Sequence, residues 1–290
     1  MTLPTRRQFL QTSAAVSAYA LMAPHRGLAS PFGLPLGLEL YSVRDELPKD
    51  YAGTLKKVAA LGYRDVEAAG FYGHSAAEVK AAMTDAGLHC VSAHYSMDLL
   101  STTLDEIIAF HKVLGAPYIL CSYPGHKAKP AAGGEHSFTL EDWRWNAEQF
   151  NHFGAKVKAA GFHFGYHNHT PEFVVVDGAT PYDELMKLTN PSLVTFEMDC
   201  GWVMVGGGDP IALLHKYPNR ISLLHVKDFQ PDVTPPHAAQ LGHGRIDYGP
   251  IFAAAKKGAI KHYFVEQEQF DIPWQEALKI DADYLRSFKG

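Results

Sequence analysis

The sequence predicts a single-domain α/β protein folded as a (β/α)8 barrel, and three observations carry that expectation. Beyond residue 34, short apolar strand-like runs alternate eight times with amphipathic helical patterns. The alternation occupies roughly 255 residues, close to the ~250 typical of such barrels. No Gly-x-Gly-x-x-Gly follows the first run and no low-complexity linker divides the chain, so a doubly wound open sheet fits less well.

The runs cover residues 36–43, 63–69, 88–95, 117–123, 162–169, 192–199, 221–228 and 262–268. Each is rich in β-branched or aromatic residues and is bounded by Gly, Pro, Asn or Asp. Between them, Leu55, Val58, Ala59 and Leu61 recur at helical spacing. So do Val79, Ala82, Met83 and Ala86, then Leu104, Ile107, Ile108 and Phe110. Gly62, Gly87, Gly115 and Gly161 follow four of these helices, where a left-handed closing residue belongs.

Composition agrees with a folded chain: 47% of the 290 residues are hydrophobic and 20% charged, so a substantial core is expected. Residues 1–30 contain Arg6, Arg7 and Arg26 and no acid. Of the 26 basic residues, 23 therefore remain in the body against 31 acidic ones. A body this acidic does not attract phosphate backbones, which weighs against a nucleic-acid partner. Arg6-Arg7-Gln8-Phe9-Leu10, an apolar stretch to Ala23 and the small residues before Ser30 resemble a twin-arginine export signal. Residues 1–30 are thus expected to be an address and 31–290 the barrel, delivered to the periplasm. No segment reaches the ~18 apolar residues of a membrane span. Cys90, Cys121 and Cys200 are odd in number and lie in or beside apolar runs, so buried free thiols are expected.

Side chains alternate faces along a strand, so parity decides what can meet. His163, Gly165, His167 and His169 share one face of the fifth run, and Thr195, Glu197 and Asp199 one face of the sixth. Ile221, Leu223, His225 and Lys227 share a face of the seventh, and His262, Phe264, Glu266 and Glu268 one of the eighth. His167, His169, Asp199, His225, Lys227 and Glu266 all fall at carboxyl ends, the rim where such barrels hold their sites. Imidazoles and carboxylates converging from four neighbouring strands suit a divalent cation.

These residues also carry a resemblance. Tyr166-His167-Asn168-His169 with Glu172-Phe173, Phe196-Glu197-Met198-Asp199-x-Gly201-Trp202, Leu224-His225-Val226-Lys227-Asp228 and Phe264-Val265-Glu266-Gln267 resemble the sugar phosphate isomerase/epimerase family of xylose-isomerase-like barrels. So does Leu241-Gly242-His243-Gly244, and the likeness spans roughly 34–288. The resemblance implies one divalent metal held by residues from the fifth to eighth strands. The matching positions are His167, Asp199, His225 and Glu266, with His169 as an alternative to His167. A Glu is usual where His167 stands, and this mixed set suits Mn, Zn, Co or Fe better than Mg.

The resemblance further implies enolisation of a sugar carbonyl, by an isomerase or epimerase. Of the usual pair of glutamate bases only Glu266 remains. Glu172 or His169 is expected to supply the other base, and Lys227 an acid or a hydroxyl contact. His94 and Glu67 are expected to line the substrate pocket, and Trp202 and Tyr41 to stack on a sugar ring. Glu39 either lines the far wall or pairs with Arg44, and Glu67 has the same choice with Arg64. Glu197 is expected to orient a ligand from deeper in the barrel. The long loops 124–137, with His126 and His136, and 229–244, with His237 and His243, emerge at the same rim and suit lids. The leading expectation is a metal-dependent sugar isomerase or epimerase. A lyase or hydratase on oxidised 3-oxo-glycosides is the rival among enzymes, and a non-catalytic sugar-binding barrel the rival of another class.

Overall fold

β-branched and aromatic residues at alternate positions make the strands, and capped amphipathic segments make the helices that cover them. The computed structural model describes residues 30–128 and 137–288. The export-signal reading of residues 1–29, and His136, therefore lie outside the described residues.

Strands β1 (Gly37–Glu39), β2 (Asp65–Ala68), β3 (His89–Ser96), β4 (Tyr118–Tyr123), β5 (His163–His167), β6 (Val194–Asp199) and β7 (Ile221–Val226) run parallel in chain order. A last strand, β10 (His262–Val265), pairs with both β7 and β1 and closes the barrel. Two short strands, β8 (Asp228–Phe229) and β9 (Ala238–Ala239), form an antiparallel pair inside the long loop after β7. All eight expected runs therefore contribute a barrel strand. The first run is the one that differs most. Only three of its residues are extended, and Leu40–Val43 turns into a 3-10 helix because the Glu39 carboxylate accepts a hydrogen bond from Tyr41 N.

The outer layer holds α1 (Tyr51–Ala60), α2 (Ala76–Ala86), α3 (Met97–Leu114), α4 (Leu140–Ala159), α5 (Pro181–Leu188), α6 (Cys200–Val205), α7 (Pro210–Lys216), α8 (Tyr248–Ala255) and α9 (Trp274–Ser287). Local chemistry sets their limits. Ser75 with Glu78 and Thr139 with Asp142 form reciprocal caps at the starts of α2 and α4. Gly87, at φ 73°, ends α2 in the left-handed region that a side chain would resist. Outward strand residues such as Phe164 and Tyr166 stack against Phe150 of α4. Inside the barrel, Val91, Tyr118, Leu120, Leu223 and Phe264 form an apolar plug. The polar site rests on that plug, toward the carboxyl ends of the strands.

Cys90, Cys121 and Cys200 are unpaired, as expected of buried or half-buried thiols. Among the described residues no helix is long and apolar enough to cross a membrane.

Candidate active site and metal centre

Strand parity aims Glu39, Glu67, His94, His167, Glu197, Asp199 and His225 inward, and Glu266 follows directly after β10. Above them opens a cavity of about 570 Å³ lined by Glu39, Tyr41, Phe71, His94, Tyr123, His167, His169, Trp202, Glu266 and Glu268, among others.

The buried polar groups fall into two layers that share one imidazole. In the deeper layer, Glu197 Oε2 lies 2.8 Å from His94 Nε2, 2.9 Å from His167 Nδ1 and 3.2 Å from His225 Nε2. Glu67 Oε1 lies 2.6 Å from His225 Nε2 and 3.0 Å from His94 Nε2. In the upper layer, Glu266 Oε2 lies 2.9 Å from His225 Nδ1, and Asp199 Oδ2 lies 3.8 Å from that same nitrogen. Lys227 Nζ sits among the acids here, 3.1 Å from Asp199, 2.7 Å from Glu266 and 2.7 Å from Glu268.

Burial and these partners decide who carries charge. Burial alone would neutralise Glu266, but the Lys227 ammonium and His225 outweigh it and hold the carboxyl well below the usual range. Burial likewise opposes a charge on Lys227, and Asp199, Glu266 and Glu268 outweigh it and push its pKa up. Burial pushes Asp199 up to about 6 despite Lys227. It also lowers His169 to about 3, helped by Lys227, so this imidazole is neutral. His167 is pushed down by burial and by neighbouring His225 and His94. Burial also favours the neutral forms of His94 and His225, but the surrounding carboxylates overcome it and raise both. Glu39, buried beside Glu67, is pushed well up.

The donors fit a divalent cation. Ligand atoms of His94, His167, Glu197 and His225 lie within 4.8 Å of one another, and so do those of Asp199, His225 and Glu266. Imidazole and carboxylate mixtures are the donors such ions take. Glu67 Oε2 and Glu197 Oε1 are buried without a hydrogen-bond partner, which suits a site built around a cation.

Of the four expected metal positions, Asp199, His225 and Glu266 converge, whereas His167 turns its nitrogen toward Glu197 and the deeper layer. His169, one of the expected bases, lines the cavity with a buried, unpartnered Nδ1. Glu172, the other, is fully buried beside the cavity, where it accepts hydrogen bonds from Tyr166 OH and His169 N. Burial pushes its carboxyl up to about 7. The expected general acid, Lys227, is withdrawn from the cavity lining. Its ammonium lies 4.8 Å from the centre of the Trp202 ring and is committed to three acids.

His94, Tyr41 and Trp202 line the cavity as expected of substrate contacts, while Glu67 lies below it at the barrel centre. Neither expected arginine pair forms. Arg44 donates to backbone carbonyls of Tyr41 and Glu268, and Arg64 to those of Ala59 and Tyr63. The sequence reading assigned no role to Glu268. Its signal was available: it lies two residues beyond Glu266, on the same face. Glu197 was given an orienting role, yet three imidazoles converge on it. In the 229–244 loop, the Asp228 carboxylate accepts from the backbone nitrogens of Gly242, Gly244 and Ile246 and binds the segment to the rim.

Known proteins share this architecture. An inosose dehydratase from Clostridium beijerinckii is 29% identical over 267 residues, covering 81% of this chain and 89% of that protein. A crystal structure of a sugar phosphate isomerase/epimerase from Parabacteroides distasonis superposes with a TM-score of 0.72 at 31% identity, covering 86% of this chain and 96% of that one. A second such structure from the same organism gives 0.70 at 28% identity, covering 87% and 93%. The family model described as xylose isomerase-like TIM barrel matches residues 55–288, and the chain belongs to that family.

Proposed function

We propose that this protein is an enzyme that enolises a ketone of a sugar or sugar-like polyol with the help of one divalent cation. A single observation carries the reading: Glu266, paired with Lys227 and His225, and His169, whose buried Nδ1 has no hydrogen-bond partner, face one cavity above a nest of imidazoles and carboxylates. Glu266 is placed to take the proton from the carbon beside the carbonyl. Lys227 holds that carboxylate ionised and in position. His169, with an open Nδ1, is placed to exchange a proton with a substrate hydroxyl. Trp202 and Tyr41 offer aromatic faces to the ring. A bound divalent cation supplies Lewis acidity that draws electron density from the carbonyl and acidifies the neighbouring C–H. The mixed donors favour Mn, Zn, Co or Fe over Mg.

The fate of the enolised substrate gives two readings. Return of the proton to a different position or face yields an isomerase or epimerase, the chemistry named for the Parabacteroides structures. Loss of a hydroxyl as water yields a dehydratase, the chemistry named for the Clostridium relative. The position of Glu172 favours the second. Tied to Tyr166 and the His169 backbone, it supplies no opposed carboxylate for a two-base epimerisation. The Arg6-Arg7 pattern supports export, and with it a free rather than phosphorylated substrate.

The test is product analysis. Protein loaded with Mn²⁺, Co²⁺ or Zn²⁺ is incubated with an inosose, with ketoses and with 3-oxo-glycosides, and the mixtures are read by NMR. The expected result is an isomer, an epimer or an unsaturated ketone, lost with chelator and restored by metal. Saturable binding without product across the panel would instead mark a sugar-binding barrel.

A further inference from the structure

We propose that the divalent cation lodges in the deeper set formed by His94, His167, Glu197 and His225, leaving Asp199 and Glu266 to the Lys227 ammonium. The inference rests on the metal-assisted reading above and adds to it the placement of the ion.

Hydrogen bonding alone does not account for the deeper layer. Three imidazole nitrogens surround Glu197 Oε2 at 2.8, 2.9 and 3.2 Å. A carboxylate oxygen has two lone pairs for them. His94 Nε2 carries at most one proton yet faces both Glu197 and Glu67, at 2.8 and 3.0 Å. These separations suit a shared cation better. Ligand atoms about 2.1 Å from an octahedral ion stand about 3.0 Å from their neighbours in the shell. His225 completes the pattern: its Nδ1 lies 2.9 Å from Glu266. A carboxylate on the far nitrogen is what fixes the tautomer of a ligating imidazole.

Charge points the same way. Four buried carboxylates (Glu67, Glu197, Asp199 and Glu266) face one buried ammonium, that of Lys227, while burial keeps Glu39 toward its neutral form. Uncompensated buried charge costs several kcal/mol per group, and a divalent cation relieves it without protonating the imidazoles. The upper set already has its cation. Lys227 Nζ stands within 3.1 Å of both Asp199 and Glu266, so an ion entering there would have to expel it.

The experiment counts imidazoles on the metal in the unmodified protein. Pulsed EPR of the Mn²⁺-loaded chain, with and without ¹⁵N-histidine labelling, is expected to show three coupled imidazole nitrogens. Asp199, His225 and Glu266 would give one. Equilibrium dialysis with Mn²⁺ supplies the second readout. His94→Gln and Glu197→Gln are each expected to weaken binding at least tenfold, and Asp199→Asn by threefold or less, in variants whose circular dichroism matches the parent. Fewer than three coupled nitrogens, absence of bound Mn²⁺, or an Asp199→Asn loss equal to that of His94→Gln would overturn the placement. Metal-dependent turnover alongside a single coupled nitrogen would leave the enolisation reading standing and remove only this inference.

Discussion

Lys227 crosses the backbone of Gly201 so closely that a Cβ built on that glycine would lie 2.4 Å from Lys227 Cγ and 3.0 Å from Cδ. The glycine thus opens the path by which the ammonium reaches Asp199, Glu266 and Glu268 beneath the Trp202 ring. Gly201→Ala would crowd the middle of the lysine stem and also Phe229, whose Cε2 lies 2.9 Å away. Overpacking of this kind costs about 1–3 kcal/mol. Thermal melting should show that loss, and turnover should fall at least tenfold as Glu266 loses its partner. Parental melting and turnover in the alanine variant would contradict this role for the glycine.

Removing the ammonium itself should be more severe. Lys227→Met strands Asp199 and Glu266 without their cation, and breaking a buried pair in this way costs about 3–5 kcal/mol. Lys227 and His225 hold the folded Glu266 carboxyl well below the ordinary glutamate value of 4.5, so its pairing stabilises the fold above that pH. The contribution disappears as pH falls through the folded value. Denaturant titrations should therefore show the widest gap between parent and variant near neutrality, narrowing toward acid. A gap independent of pH would contradict the pairing.

Parity made much of this site legible. Because successive side chains point to opposite faces, the inward set of β5, β6, β7 and β10 could be read residue by residue, and the rim followed from position along each strand. What meets what across the barrel was less legible, since that depends on stagger between strands. Pairing of β6 with β7 shifts between Phe196 and Glu197, setting Glu197 beside Leu223 and Asp199 beside His225. No local pattern announces that shift, so the sequence places Glu197 deeper than Asp199, as a residue that orients a ligand, without showing that three imidazoles meet on it. His167 likewise follows its neighbours: with Glu197 2.9 Å away, its nitrogen turns down into the barrel rather than up to Asp199 and Glu266. The length of β1 was missed for a different reason. A carboxylate that caps its own next turn competes with the strand ladder, and composition alone does not reveal it.

Asp281 offers a pH test away from the site. It is buried on α9, accepts a 2.7 Å hydrogen bond from Leu241 N, and is pushed by burial from 3.8 up to about 7. Between these values the folded state holds a proton that the unfolded chain has lost, so stability declines as pH rises from about 4 to about 7. The interval corresponds to on the order of 4 kcal/mol. Asp281→Asn should remove that slope, so that parent and variant diverge in the variant's favour on approaching pH 7. Parallel stability–pH curves would refute the assignment.

Glu172 is expected to matter for position rather than proton transfer. Glu172→Gln puts an amide where one oxygen accepted from Tyr166 or from His169 N. An unmet buried donor costs about 1–3 kcal/mol. Chemical denaturation should register that loss, while the pH dependence of turnover keeps its shape. Disappearance of a limb of the profile would instead make Glu172 a base.

The account stands most directly on proton exchange at the carbon beside a substrate carbonyl. Metal-loaded protein and its Glu266→Gln variant are incubated in deuterium oxide with the ketone that the product screen identifies, and deuterium is followed by NMR. The account predicts enzyme-dependent deuterium at that carbon, or loss of its proton as the neighbouring hydroxyl leaves as water, either one at least tenfold slower in the variant. Binding of the ketone with every carbon-bound proton retained would contradict it.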